Sequence, residues 1–334
     1  KVDKDLRIRP LKKQIRMKRL LIIFLFFVCV PVNAKSLFPG CQTTHSVKAE
    51  QKNNIKKPRA THKEPPQYPQ SALGRGIQGR VILGYTVKQD GTVYEVEVLA
   101  ATDKVFVKRS KEALMAFKYE PATKLSGEPI DYKLRHAFTF EFEGSSKSLF
   151  YLSDELDRNF LKSFFLNQDL SPKRAIKNIN NKLKKDMPPI RKAMYLYLKA
   201  TKTSQLKNKN IGSEKADLEQ ALSILKNLNE LDPNVFSLKQ FIVRTMSQIY
   251  NNTTEEILRL SGLSEDILLK MIDMNYPKEE QYQHYIDYGI ISYNLSRWCE
   301  SYESFEAAIK IEKSQKMTEN LNLVKYRDLA KTNF

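Results

Sequence analysis

The sequence predicts two fold classes in series: an α+β module in the order strand, strand, helix, long strand, then a separate all-α, repeat-like helical domain. Three observations carry this. Seven of the eleven glycines lie between Gly74 and Gly144, where strand-and-turn chemistry would use them. Strict alternation of apolar and polar residues is confined to the stretch from Arg80 to Phe142. From Leu149 onward the punctuation is of helix starts instead. The length of 334 residues suits about two domains. A composition 41% hydrophobic and 28% charged can bury real cores and excludes disorder throughout.

The chain opens on an export pattern. Met17-Lys18-Arg19 begins a basic segment, Leu20–Val30 is an 11-residue apolar run, Pro31 breaks it, and Val32-Asn33-Ala34 supplies small residues for cleavage. Residues 1–34 are therefore expected to be a signal sequence with an upstream extension over 1–16. They carry nine Lys/Arg and two Asp, so the net charge falls from +18 to +11 on a chain beginning at Lys35. Anionic lipid headgroups and acidic envelope polymers are nearer partners for such a chain than nucleic acid, for which no basic-aromatic platform or zinc-finger spacing exists. A solvated basic surface is the favoured reading of the charge. Residues 35–64 are polar and basic without sustained periodicity, a tether with a root-mean-square span of about 30 Å as flexible coil. Cys29 leaves with the signal, and Cys41 and Cys299 then share an oxidising compartment in which pairing is open to them. A lipid on Cys41 is the disfavoured alternative, because Pro31 and the polar Asn33, Lys35 and Ser36 separate it from the apolar run and Pro39 sits badly just before the cut.

The next elements follow in order. Val81, Leu83, Tyr85 and Val87 share one strand face, Gln89-Asp90-Gly91-Thr92 makes a hairpin turn, and Val93–Leu99 returns with Glu95 and Glu97 outward. That alternation predicts a sheet with one wet side. Thr102 or Asp103 caps a helix with Phe106, Ala113, Leu114 and Phe117 on its stripe. Pro121 and Gly127 end it, and Ile130–Phe142 alternates for 13 residues, longer than a typical strand. In the helical half, Ser171-Pro172, Ser213, Asp232-Pro233, the Thr253–Glu256 capping box and Ser264 mark helix starts.

Chemistry has little foothold. Gly74-Arg75-Gly76-Ile77-Gln78-Gly79 spells the dinucleotide fingerprint, but a helix precedes it and a strand follows, the reverse of the order that aims a helix N-terminus at pyrophosphate. There is no nucleophile elbow, zinc motif, phosphate loop or C-x-x-C. Glu95 and Glu97 read as solvated carboxylates and His136 as a residue packed at a sheet rim. No enzyme, metal or cofactor is implied.

Pro66-Gln67-Tyr68-Pro69, Ala72, Gly76, Gln78-Gly79, Val81, Tyr85, Val87, Asp90-Gly91-Thr92-Val93, Val96, Val98, Phe106, Ala113, Phe117, Tyr119 and Pro121 together resemble the C-terminal domain of the TonB family, over roughly Pro65–Phe142. The resemblance implies a three-stranded antiparallel sheet with a packed helix that engages the TonB box, a short extended segment of outer-membrane receptors, and energises uptake of iron chelates and vitamin B12. Phe117 stands where the family has tryptophan, and Pro65 replaces a glutamine implicated in receptor contact. Typical members also have an uncleaved anchor, a long proline-rich spacer and this domain at the C-terminus. Here 190 residues follow position 144. Further on, Tyr285, Tyr288, Gly289, Trp298, Ser301, Phe305 and Ala308 resemble one tetratricopeptide repeat, and Ala221, Leu225, Leu228 and Pro233 part of a degenerate copy, which implies partner binding in a helical groove.

The expected layout is thus 1–34 signal, 35–64 tether, 65–144 TonB-like module and 149–334 helical domain. The expected function is periplasmic, in a Gram-negative envelope, or inner-membrane anchored if the signal is retained. A TonB-dependent receptor segment adds to the edge of the Ile130–Phe142 strand, with Gln67, Tyr68, Lys133, Leu134, Arg135, His136, Ala137, Phe138, Thr139 and Phe140 as the partner-binding set. An inner-membrane proton-driven motor and an unidentified partner of the helices complete the expected company. The alternative is a non-energised periplasmic scaffold that works through its helical domain.

Overall fold

The computed structural model describes residues 37–41, 55–142, 150–206, 211–249 and 253–333. The export segment lies outside them. Among the described residues no helix is long and apolar enough to cross a membrane.

The module is organised by one central strand. After β1 (Ile55–Lys56), β2 (Arg59–His62) and α1 (Gln70–Gly74), β3 (Gly79–Val87) lies between β4 (Val93–Ala101) and β8 (Tyr132–Phe140), all antiparallel, in the order β4-β3-β8. Asp90 accepts hydrogen bonds from the Thr92 backbone and hydroxyl across the hairpin. Gly91, at φ +80°, lies so close to the Tyr119 carbonyl that a Cβ would stand 2.0 Å from it, so glycine is required there. Asp103 accepts from the Val105 N–H and starts a 3₁₀ turn (Lys104–Phe106) that runs into α2 (Val107–Ala116). Phe106, Leu114 and Phe117 close over Val81, Leu83, Tyr85 and Val87 as expected of the stripe.

Outside the helical half, three features differ from expectation. The long alternation breaks at Asp131, which accepts from the Gln89 N–H and the Tyr94 hydroxyl. That leaves β7 (Pro129–Ile130) and a nine-residue β8 that matches β3 in length. Short strands β5 (Lys118–Glu120) and β6 (Ala122–Lys124) pair with β2 and β1, so the segment read as a tether carries structure at its end. It also does so at its start: Leu37 donates its N–H to Glu265, Phe38 lies against Tyr288, and Cys41 is disulfide-bonded to Cys299. That sulfur is therefore not a lipid attachment point.

The helical half contains, among the described residues, α3 (Arg158–Asp169), α4 (Pro172–Leu183), α5 (Pro189–Ser204), α6 (Ile211–Leu225), α7 (Pro233–Ile249), α8 (Thr254–Asp273), α9 (Lys278–Asn294), α10 (Trp298–Ser314) and α11 (Leu321–Lys331). Each packs on its predecessor. The Thr253 capping box closes with both of its bonds, and Asp232 accepts from the Asn234 and Val235 N–H groups ahead of α7. Ser264 does not start a helix. It lies inside α8, where Leu260, Ile267, Leu268 and Met271 keep one buried stripe across it and packing outweighs the weak local propensity. Ser213 falls in the first turn of α6, not before it.

The third difference is the sheet's second face. β3 is buried along its whole length, because Ile82, Ala100 and Ala137 join the same core as Met274, Tyr276 and Phe236 of the helical half. Only the far end of that face, where Glu95, Glu97, Lys133 and Arg135 lie, stays wet. The wet side inferred from alternation is thus half covered.

Candidate partner-binding edge of the sheet

β8 is hydrogen-bonded to β3 on one side only. In register, His136 faces Leu83, Arg135 faces Gly84 and Ala137 faces Ile82. Ala137 donates its N–H away from β3, to the Met274 carbonyl at 2.8 Å. Since backbone direction alternates along a strand, Lys133, Arg135, Ala137 and Thr139 direct their backbone groups to the outer edge. Their side chains share the face toward the helical half. Leu134, His136, Phe138 and Phe140 turn the other way.

The structure therefore divides the predicted set. Phe138 and Phe140 are buried under α2. The His136 ring packs edge-on against Phe117 and Phe138. Its Nδ1 is buried without a hydrogen-bond partner among the described residues, and burial, helped by Lys63, pushes its pKa down to about 3. Tyr68 donates its hydroxyl to the Ile77 carbonyl at 2.6 Å and stacks on Phe142, so it anchors the entry segment, while Gln67 beside it is exposed. Lys133 and Arg135 are exposed. With Gly84, Thr86, Glu95, Glu97 and Asp273 they line a cleft of about 660 Å³. Glu95 stands at φ +51° in the bulge of β4 and accepts from the Thr86 hydroxyl at 3.3 Å.

The middle of the edge is clasped by the turn between α8 and α9. Besides the Ala137–Met274 bond, Asn275 donates its side-chain amide to the Arg135 carbonyl at 3.1 Å, and Arg135 pairs with Asp273 at 3.1 Å. Asn275 adopts φ +51°, which asparagine tolerates better than most residues. Below this clasp Arg80 reaches from β3 into the helical half. It makes two bonds to Glu280 at 2.7 and 2.8 Å, donates from Nε to the Thr139 hydroxyl, and lies over the Tyr276 ring at 4.3 Å. Burial by itself would lower the pKa of this guanidinium, but Tyr276 and Glu280 raise it on balance. Sequence reasoning missed Arg80, Met274 and Asn275. The Asn275-Tyr276-Pro277 stretch was a visible turn signal; nothing tied it to β8.

The other predicted set, in α9 and α10, forms a helical hairpin. Gly289 lets the helices approach: a Cβ there would come within 2.8 Å of the Phe305 ring. Ser301 donates its hydroxyl to the Gly289 carbonyl at 3.0 Å. Tyr285, Tyr288, Phe305 and Ala308 are buried in one cluster, and Trp298 meets Tyr293 edge-on at the start of α10. Tyr285, Tyr288, Gly289, Ser301, Phe305 and Ala308 are core, and Trp298 is half-buried.

A small antiparallel sheet with one packed helix and one clasped edge defines the class of module. Residues 64–142 match the family model described as Gram-negative bacterial TonB protein C-terminal. The chain is 30% identical over 81 residues to Protein TonB of Pseudomonas aeruginosa, covering 24% of this chain and 23% of that protein. It is 37% identical over 87 residues to Protein TonB of Escherichia coli K12, covering 26% and 36%. The chain thus spans only about a quarter to a third of the length of these curated relatives. The solution structure of the Pseudomonas aeruginosa TonB CTD aligns at 26% identity over 29% of this chain and 95% of that one, with a TM-score of 0.24.

Proposed function

We propose that this chain is a TonB-like coupling protein of the cell envelope, whose sheet receives an extended segment of a TonB-dependent outer-membrane receptor along the outer edge of β8. The observation that carries this reading is the edge itself. Its backbone groups at 133, 135, 137 and 139 point away from the sheet, within the stretch matched by the TonB C-terminal family. An added strand gains main-chain hydrogen bonds there, with Lys133, Arg135 and exposed Gln67 beside it to select side chains. Transport of iron chelates or vitamin B12 and work input from an inner-membrane motor follow from the same likeness. The helical half, with its tetratricopeptide-like hairpin, supplies a second docking platform. The α8–α9 clasp favours a second reading, a periplasmic scaffold, because the centre of the edge already has an occupant.

Binding of fluorescein-labelled peptides from receptor N-termini, followed by anisotropy, tests the proposal. Lys133→Pro removes an outward N–H that no described group accepts and leaves the apolar face alone. A folded Lys133→Pro chain should bind at least tenfold more weakly than wild type. Equal affinity in the two proteins removes β8 as the site, and no binding by wild type or by a clasp-weakened Asn275→Ala chain leaves the scaffold.

A further inference from the structure

Six of the +18 net charges of this chain lie on one short helical stretch. Residues 172–185, covering α4 and the turn after it, hold Lys173, Arg174, Lys177, Lys182, Lys184 and Lys185 and no Asp or Glu. Ala175 and Ile179 fill the buried side of α4. At 100° per residue the opposite arc carries Lys173, Arg174, Lys177, Lys184 and Lys185 with Asn178, Asn180 and Asn181, and all of these are exposed. None of the six cations makes an ion pair among the described residues, although Lys and Arg elsewhere on the helical half do so repeatedly. An unneutralised arc of this kind maintains a potential that mutual pairing would have cancelled.

The neighbour of this arc is apolar. Phe165 and Leu166 of α3 are 36% and 58% exposed, and Leu166 shares a shallow groove with Asn178, Asn181 and Lys182 of α4. Lysines that can spread their charge, beside exposed Phe and Leu of α3, match a plane that is anionic outside and apolar beneath. A soluble acidic ligand would give Leu166 no role. We propose that the α3–α4 surface docks on an anionic phospholipid bilayer, with the α4 cations over the headgroups and Phe165 and Leu166 entering the interface.

The full-length chain should sediment with phosphatidylglycerol-containing vesicles more than with phosphatidylcholine vesicles, and added salt should abolish the difference. Insertion by the apolar run Leu20–Val30, and the anionic preference that the nine Lys/Arg of residues 1–34 add to it, are common to every variant, so the variants are read against wild type on the same vesicles. At about fivefold per cation near an anionic surface, Lys173→Gln/Lys177→Gln/Lys184→Gln should lower the anionic preference about 100-fold. Leu166→Gln should weaken vesicle binding and leave binding to soluble polyphosphate untouched. Hydrogen exchange supplies a second reading: anionic vesicles should protect peptides covering 158–185. The proposal is overturned if the triple variant keeps the wild-type preference or if vesicle-bound protein shows no protection there. Polyphosphate binding with vesicle binding indifferent to Leu166→Gln would likewise overturn it, in favour of a soluble polyanion.

Discussion

Replacing Glu280 with alanine isolates the contact that ties the two halves together. The Arg80 side chain is 4% exposed and the Glu280 side chain 19%, so truncation leaves the guanidinium buried without its carboxylate. Removing one partner of a buried pair costs about 3–5 kcal/mol. Arg80 keeps its bond to Thr139 and its place over Tyr276, which argues for the lower end, about 3 kcal/mol. Arg80→Met, whose partner carboxylate is less deeply buried, should cost less. The double variant should recover much of the loss, because an apolar side chain replaces a buried charge at little cost. Urea unfolding followed by far-ultraviolet circular dichroism and by Trp298, the single tryptophan and a member of α10, yields the four free energies. A coupling energy of about 2 kcal/mol is expected from this cycle. A Glu280→Ala cost below about 0.5 kcal/mol, or additivity within that margin, would refute the claim that this pair fastens the domains.

Four further outcomes are expected. Cys41→Ser/Cys299→Ser should lower stability by about 2–4 kcal/mol, read as a lower urea midpoint, since the bridge spans 258 residues of sequence. The folded-state pKa of His136 is about 3, below the unfolded value of about 6.5, so its contribution is complete above pH 6.5 and is lost as pH falls toward 3. The stability slope between pH 6.5 and 4 should accordingly flatten in His136→Phe, and an unchanged slope would count against the buried neutral imidazole. Asn275→Ala should speed amide exchange at Ala137 about fivefold by loosening the clasp, for a hydrogen bond worth about 1 kcal/mol. A chain of residues 149–334 should be strongly helical and melt cooperatively, yet below the full-length midpoint because Met274 and Tyr276 lose their cover; a spectrum dominated by strand or coil would rule out a separable helical half.

The β3–β4 hairpin, α2 and the Thr253 capping box were legible because local chemistry decides them: Gly91 at positive φ, Asp103 and Thr253 at helix starts, alternation at Val81–Val87. Ser264 misled because Ser before an apolar stripe has the same pattern whether it begins a helix or lies within one. β1, β2, β5, β6 and β7 were not legible, since strands of two to four residues have no period to read. The candidate edge was legible as a strand, including the exposure of Lys133 and Arg135. Its clasp was not, because Met274 and Asn275 lie about 140 residues away in sequence and are brought to β8 only by the packing of Ile82, Ala100 and Ala137 on the helical core. Arg80 looked like one more polar strand position. Only the half-buried Glu280 opposite it turns that charge into a fastener.

The Cys41–Cys299 bridge also sets how the molecule carries a load. Tension applied upstream of Cys41 divides there into two routes toward the sheet. One runs along residues 42–54, which reach at most about 45 Å when drawn straight. The other crosses the sulfur atoms into α10, passes through the helical half, and arrives at β3 and β8 by way of Arg80, Glu280 and the clasp. In the oxidised protein the second route therefore works in parallel with the main chain. Reduction breaks its covalent link, and the load that crossed the sulfur atoms falls on the main chain and on the Leu37–Glu265 and Phe38–Tyr288 contacts.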